Sequence, residues 1–195
     1  MADSICLISL DEAEQIDDLY VTGKDSDAKD AVLDGGAQSF VVGSNTLQRY
    51  AEHLRLHGID WTPRHVPCDK MFRFGNDDVS RCTTSTVIPT NFAGRSGHLH
   101  VYVLEGNTPF LFPRPLMEKV GLIVDFGRKR LSWNGHQWAR VVQRSEKGHY
   151  LLNMAEDTNA LRKHLRNPEF VHVPSGTPDT CTLLHVGDST GVKVN

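Results

Sequence analysis

Short apolar runs separated by polar, glycine-rich turns dominate this chain and predict a structure built mostly of β-strands. Runs rich in Val, Ile, Leu and Phe, bounded by Gly, Pro, Asn or Asp, are typical of strands. The alternation of apolar and polar residues in 97–104 predicts a half-buried strand. The predicted strands are 19–21, 31–33, 39–42, 71–74, 81–89, 97–104, 110–112, 122–126, 137–143 and 149–152.

One longer segment, 44–58, has helical periodicity. The residues of its apolar stripe, at i, i+3, i+4 and i+7, are Leu47, Tyr50, Ala51 and Leu54. Ser44 or Asn45 is expected to cap the helix at its N-terminus, and Gly58 is expected to end it.

Two shorter helices are predicted further along the chain. In 113–121, Pro115 suits the first turn of a helix and Gly121 suits its end. Residues 158–165 carry a second short helical pattern, and the chain beyond residue 168 shows no sustained periodicity.

A single carboxylate, Asp34, closes the apolar run 31–33 and is followed by Gly35 and Gly36. Glycine is needed where the backbone takes a positive φ or must approach another group closely. This arrangement suits an acid presented to a substrate at the end of a hydrophobic element. Taken alone, however, the stretch favours an ordinary Asp-Gly hairpin turn, which is common between strands.

Composition indicates one folded domain. The chain has 195 residues, of which 39% are apolar and 23% charged, so a packed core is expected. No apolar run is long enough to cross a membrane, so membrane association is not expected.

Ten of the 24 acidic residues lie within residues 1–34, and the segment 1–18 is interpreted as an acidic tail, either a short helix or mobile. The mildly basic remainder lacks the concentrated positive charge that indicates nucleic-acid binding.

The cysteines and the N-terminus predict an intracellular, cytoplasmic protein. The four cysteines are widely spaced and form no C-x-x-C pair, which is typical of reduced thiols. The first ten residues have no basic flank and do not resemble a signal peptide.

The order of these elements resembles that of the retropepsins, the aspartic proteases of retroviruses and long-terminal-repeat retrotransposons. Residues 32–37, Val-Leu-Asp-Gly-Gly-Ala, stand where that family has an apolar–Asp–Thr/Ser–Gly–Ala motif. Residues 110–126 resemble the family's closing segment, in which an apolar strand leads to a short Arg-bearing helix, a Gly and another apolar strand. Residues 121–126, 131–135 and 148–152 are similar to copia-type polyproteins.

The resemblance implies an all-β, retropepsin-like acid protease fold: a closed β-barrel with one or two short helices, assembled as a homodimer. The protease domain would span 19–135, followed by an extension at 136–195 that is partly β and then irregular. Each subunit would contribute one Asp34, and the two facing carboxylates would share a proton. One would activate a water that attacks the scissile carbonyl, and the other would protonate the carbonyl oxygen, with no metal or cofactor.

The implied substrate is an extended peptide within a retrotransposon polyprotein, bound by strand-like backbone hydrogen bonds. The residues expected to contact it are Gly36, Ala37, Phe74, Gly75 and Asn76. Those expected to support the motif are Gly35, Arg114 and Gly121. The hairpin tip at 74–76 would act as a flap over the substrate, and a plain exposed hairpin is the alternative.

Gly35 departs from the family pattern, which has Thr or Ser at that position. In the family the hydroxyl donates a hydrogen bond across the dimer, and Gly35 has no side chain to do so. Pro113 also stands where the family commonly has Gly before Arg114. Two functions therefore stay open: an active endopeptidase, and an inactive retropepsin-like module that binds peptides or mediates dimerisation. A third alternative is an unrelated β-barrel binding domain, in which 110–126 would not pack beneath the Asp34 loop.

Three other features favour a structural interpretation. His98 and His100 share one strand face, but the spacing specifies no further metal ligand, so an exposed polar strand face is expected. The basic turn 128–130 is expected to be solvated rather than bound to nucleic acid. Trp133 and Trp138 are expected to pack in the fold rather than stack on bases.

Overall fold

The computed structural model of the protein describes residues 27–74, 78–133, 140–141, 143–144 and 148–166. Strands account for more of these residues than helices do, which is consistent with the predicted all-β class. The strands are β1 (Asp30–Asp34), β2 (Val41–Gly43), β3 (Val66–Arg73), β4 (Val79–Phe92), β5 (Arg95–Leu104), β6 (Phe110–Pro113), β7 (Leu122–Asp125), β8 (Arg130–Trp133), β9 (Arg140–Val141), β10 (Gln143–Arg144) and β11 (Tyr150–Asn153). The helices are α1 (Ser44–Leu56), α2 (Arg114–Lys119) and α3 (Thr158–Leu165). The predictions for 1–21, 134–135, Trp138 and the chain beyond 166 lie outside the described residues.

Two sheets contain all the strands of the described segments. The larger has eight strands in the order β10-β11-β1-β6-β2-β5-β4-β3, and the smaller has the order β7-β8-β9. β6 lies between β1 and β2, parallel to the first and antiparallel to the second. Within the described ranges the larger sheet does not close on itself, so the predicted closed barrel is not found there.

The three strands β1, β6 and β2 are short and apolar because both of their faces are covered. Ala31, Val42, Phe110 and Phe112 are completely buried. Phe40 packs its ring against those of Phe110 and Phe112, with centroids 5.8 and 5.5 Å apart. Strands buried on both faces read as continuous apolar runs rather than as alternation, and this explains the pattern at 31–33 and 110–112.

The helix α1 confirms the predicted apolar stripe. Its side chains at Leu47, Tyr50 and Leu54 are buried in the main core. Gly58, with φ +71°, ends the helix as expected.

The predicted N-terminal cap of α1 is wrong. The capping position is Gly43, which offers no side-chain hydrogen bond, and the helix begins at Ser44. The loop before β6 supplies the contacts instead: the Asn45 N–H donates to the Gly106 carbonyl at 3.0 Å and the Gly43 N–H to the Thr108 carbonyl at 2.8 Å. A Cβ at Gly43 would collide with the backbone of Gly106 and Thr108, so this close approach requires glycine.

The other predicted helices are also present. Pro115 lies in the first turn of α2, and Gly121 follows its end with φ +65°. The predicted bounds of α3 match the structure, and the Asp157 carboxylate caps it by accepting from the Ala160 N–H at 2.9 Å.

The predicted hairpin is present as β3 and β4, which pair in antiparallel fashion. β3 begins at Val66, earlier than the predicted 71, although Pro67 lies within it. Proline is tolerated here because β3 is the last strand of the sheet order.

The segment after residue 148 is built into the same core as β1. β11 pairs antiparallel with β1, so that Ala31 faces Leu152. Met154 and Leu161 are completely buried within the main core cluster. The residues after 148 therefore stabilise the strand that carries Asp34, through backbone pairing and shared core contacts.

His98 lies against α3 and not on the exposed strand face that was expected. Its ring packs against that of His164 in α3, with centroids 5.2 Å apart. Burial, with a contribution from His164, lowers the pKa of His98 from 6.5 to about 4. Burial also lowers the pKa of His164. The pair is therefore neutral in the folded protein across the neutral pH range.

Tyr50→Phe is expected to destabilise the fold without changing its shape. The Tyr50 side chain is completely buried, and its hydroxyl donates to the Pro89 carbonyl at 2.7 Å. Because the substitution leaves that buried carbonyl without its partner, the free energy of unfolding should fall by about 1–2 kcal/mol in a urea titration. Tyr150→Phe, at a half-buried tyrosine whose ring packs on Phe126, is the matched control, with an expected change below about 0.5 kcal/mol. Equal losses for both variants would contradict the assignment.

Acid should weaken the fold through His98. Because its pKa is 6.5 when unfolded and about 4 when folded, the unfolded chain binds the proton more readily. The contribution of His98 to the free energy of unfolding is then fully present above about pH 6.5. It falls by on the order of 2–3 kcal/mol as the pH approaches 4. Urea titrations at a series of pH values should show this slope reduced in His98→Gln and unchanged in His65→Gln, which alters an exposed histidine. An unchanged slope in His98→Gln would refute the explanation.

Candidate functional site

Asp34 is the last residue of β1, at an edge where three elements meet. β1 and β6 are parallel, so their carboxyl ends lie together, and Asp34 is the register partner of Pro113. α2 begins at the next residue, Arg114. The segment 110–126 thus starts directly beside the strand that carries Asp34. The third alternative, an unrelated β-barrel binding domain in which 110–126 would not pack beneath the Asp34 loop, stays open, because this pairing involves β1 and not the loop.

The Asp34 carboxylate is held by the backbone of its own loop. Its Oδ1 accepts from the Gly36 N–H at 2.8 Å and from the Ala37 N–H at 3.1 Å. Asp34 is half-buried, whereas Gly35 and Gly36 are exposed. Hydrogen bonds from two successive backbone amides orient the carboxylate without help from another side chain.

The glycines of this loop were expected to supply backbone with a positive φ, and they do not. Neither Gly35 nor Gly36 has a positive φ, so left-handed backbone does not explain their presence. Their exposure leaves the surface next to Asp34 free of side chains. A second body can therefore approach this carboxylate closely.

An open cleft begins immediately after the Asp34 loop. Its lining mixes polar and apolar side chains and includes the basic residues Lys70 and Lys119. The cleft is lined by Gln38, Ser39, Phe40, Lys70, His100, Tyr102, Pro113, Pro115, Leu116 and Lys119. It therefore joins the segment after Asp34, the strands β3 and β5, and the junction of β6 with α2.

Lys70 connects the hairpin to this cleft. Its Nζ donates to the Ser39 Oγ at 3.0 Å and lies 4.3 Å from the centre of the Tyr102 ring. A lysine ammonium over an aromatic face is attracted by the ring quadrupole. The edge-on contact of His100 with Tyr102, at 5.0 Å between centroids, continues this cluster along β5.

Sequence reasoning missed Lys70, Ser39 and His100 as cleft residues. The one available signal was alternation in β3, where Cys68, Lys70 and Phe72 are half-buried between exposed residues. An inward-facing lysine in such a strand indicates a polar or aromatic partner. That partner, Tyr102, lies 32 residues further along and was not identifiable from spacing.

The hairpin tip lies partly outside the described residues. Gly75 and Asn76, two of the residues predicted to contact a substrate, belong to that undescribed part. Phe74 is described and half-buried, and it packs against a cluster that includes Val41 and Tyr102. Its N–H donates to the Asp78 carbonyl at 2.9 Å, which closes the base of the tip.

Arg114 was expected to support the Asp34 motif, but its ion pair lies within α2. Its guanidinium pairs with Glu118 one turn along α2, with Nε 2.8 Å from Oε1. Both side chains are exposed, and the carboxylate of Glu118 raises the pKa of Arg114. The described partner of Arg114 is therefore on its own helix and not in the Asp34 loop.

In the basic turn at 128–130, the charge of Arg128 is paired with the nearby carboxylate of Asp125. The Asp125 carboxylate accepts from the Arg128 N–H at 2.9 Å and pairs with its guanidinium at 3.3 Å. These contacts lower the pKa of Asp125. The pairing agrees with a solvated turn.

The described part of the chain shows neither a metal-binding cluster nor a membrane-spanning helix. No group of three or more His, Cys, Asp or Glu side chains there is placed to hold a metal ion. No helix there is long and apolar enough to cross a membrane.

Comparisons with protein-family models, curated proteins and solved structures find no match to this chain. The local geometry of Asp34, its loop and the adjacent cleft is therefore what bears on the function of this chain.

Proposed function

We propose that the protein is an aspartic endopeptidase of retropepsin-like fold whose active site forms when two copies of the chain bring their Asp34 carboxylates together. The observation that supports this most is the position of Asp34 at the shared end of β1 and β6, with Oδ1 held by the amides of Gly36 and Ala37. One chain supplies half of the chemistry, so the homodimer is part of the proposal.

The exposed, side-chain-free loop suits such a dimer. Gly35 and Gly36 leave the surface beside Asp34 open, so two loops related by a two-fold axis can approach closely. Two carboxylates at short distance cannot both ionise easily, and they share one proton. The ionised carboxylate takes a proton from water, the water oxygen attacks the peptide carbonyl, and the protonated carboxyl gives its proton to the carbonyl oxygen. Collapse of this intermediate returns a proton to the leaving amine.

The cleft beside the loop provides a place for an extended peptide. Phe40, Tyr102 and Leu116 offer apolar contacts for a substrate side chain, and the hairpin β3–β4 borders the cleft through Lys70. In this arrangement the hairpin acts as the flap, and Phe74 anchors its base on the cluster around Tyr102. The proposed substrate is a polyprotein of the copia retrotransposon type, cleaved by the enzyme that it contains.

A second candidate is a retropepsin-like module without catalysis, which binds peptides or holds two chains together. The observation that favours it is Gly35, because a glycine at this position offers no hydroxyl to tie the two Asp34 loops across the dimer. The two candidates share the fold and the dimer, and they differ only in turnover.

Asp34→Asn should abolish peptide cleavage, because an amide cannot accept the water proton. The purified protein is incubated with a peptide library between pH 4 and 7, and products are identified by mass spectrometry. Wild-type protein should give discrete cleavage sites, at least about 100-fold above those of Asp34→Asn. Asp60→Asn, at an exposed acid in the connection after α1, is the control that should retain activity. Equal cleavage by wild type and Asp34→Asn would eliminate the proposal.

Gly35→Thr should strengthen the dimer and raise turnover. The position is exposed and has no positive φ, so a threonine fits the loop without backbone strain. The added hydroxyl supplies a hydrogen bond between loops, which is worth about 1 kcal/mol and hence a roughly fivefold tighter dimer. Sedimentation gives the dimer constant, and peptide cleavage gives the turnover. Gly35→Ala adds a side chain without a hydroxyl and should behave like wild type, so identical effects of Thr and Ala would contradict this role.

A further inference from the structure

Two thiols of the hairpin lie within reach of each other. Cys68 in β3 and Cys82 in β4 have their Sγ atoms 3.6 Å apart. Cys82 is completely buried, and Cys68 is half-buried, so solvent reaches the pair through Cys68. The remaining cysteines of the chain, Cys6 and Cys181, lie outside the described residues.

Strand alternation places the two thiols on one face of the hairpin. Lys70 is the register partner of Cys82, and Cys68 lies two residues before Lys70. Cys68 and Lys70 are both half-buried with exposed Asp69 between them, so their side chains share the face of Cys82. A β-bulge between Pro67 and Lys70 interrupts the ladder beside the pair.

Cys82 belongs to a buried cluster with Val41, Tyr102 and Leu104, and Cys68 packs against that cluster. The Cys82 thiol contacts the carbonyls of Thr84 at 3.0 Å and Val103 at 3.3 Å. Burial, reinforced by the neighbouring thiol of Cys82, raises the pKa of Cys68 to about 11. At neutral pH the Cys68 thiol is therefore protonated and reacts slowly, and its reaction accelerates as the pH rises.

We propose that Cys68 and Cys82 are a redox site that a peroxide converts into an intramolecular disulfide across the β3–β4 hairpin. The Cys68 thiolate attacks the peroxide, whose O–O bond breaks, and gives a sulfenic acid and one water. The Cys82 sulfur then attacks the sulfenic sulfur, the S–O bond breaks and a second water leaves. Two thiols and one hydrogen peroxide thus give one disulfide and two waters, and a dithiol reductant reverses the change with two electrons.

Disulfide formation requires only a local movement. The sulfurs must close from 3.6 Å to about 2.05 Å, which rotation of the two side chains can supply because they already face each other. The cross-link fixes β3, the last strand of the sheet order, to β4. The oxidised hairpin therefore has less freedom to separate. This inference is independent of the proposed protease activity, because the bond forms without substrate.

The test uses the full chain carrying Cys6→Ser and Cys181→Ser, treated with hydrogen peroxide and then alkylated under denaturing conditions. Mass spectrometry should show a loss of two hydrogens, no alkylated cysteine, and one peptide pair joined through Cys68 and Cys82. Dithiothreitol should restore two alkylatable thiols. The rate of disulfide formation should rise about tenfold per pH unit near neutrality, since the thiolate is the reacting form.

The matched control moves one thiol to the other face of the hairpin. Cys68→Ser combined with Asp69→Cys places the thiol at a residue that is exposed beside Arg81, facing away from Cys82. This variant should give at least about tenfold less intramolecular disulfide under the same treatment. Alkylation of both Cys68 and Cys82 after oxidation, or a disulfide only between chains, would overturn the proposal. Equal intramolecular cross-linking in the control would overturn the geometric argument in the same way.

Discussion

The parallel ladder between β1 and β6 is the interaction on which the rest of the structure depends. It joins Ala31 to Phe110 and Asp34 to Pro113, across about 80 residues of intervening chain. Burial of Phe110 and Phe112 between β1 and β2 stabilises this insertion, since fully burying one such ring contributes roughly 2–3 kcal/mol. The ladder also determines that the carboxyl end of β1, the start of α2 and the cleft lie together. Without β6, Asp34 would stand at the end of a strand with no site beside it.

The loop after Asp34 combines a well-held carboxylate with an open surface. The amides of Gly36 and Ala37 orient Oδ1 within one chain, so this part of the geometry does not depend on a partner. Gly35 contributes only backbone, so in the proposed dimer the two loops would be aligned by other residues of the interface. In that proposal a contact between chains would decide between catalysis and simple binding, whereas the β1–β6 pairing positions the acid within one chain.

Low pH would favour the proposed carboxylate pair, whereas it weakens the fold. A carboxylate pair that shares a proton functions best in mildly acidic solution. The neutral His98–His164 pair, packed between β5 and α3, favours the folded state at higher pH because burial lowers both pKa values. The fold would therefore set a lower limit to the pH at which the proposed carboxylate pair could act. The hairpin separately places two thiols 3.6 Å apart on one face, through strand alternation.

The sequence by itself determined the local elements. The stripe of α1, the bounds of α3, the β3–β4 hairpin and the position of Asp34 at a strand end follow from periodicity and turn chemistry, which act between residues close in the chain. The tertiary structure decided what depends on partners distant in sequence. Gly43 caps α1 because the loop at 106–108 presses against it, and Lys70 faces the cleft because Tyr102 lies opposite. The pairing of β3 with β4 brings Cys68 to Cys82, and α3 covers His98. Strand order and register arise from packing between such distant segments, and no local pattern encodes them.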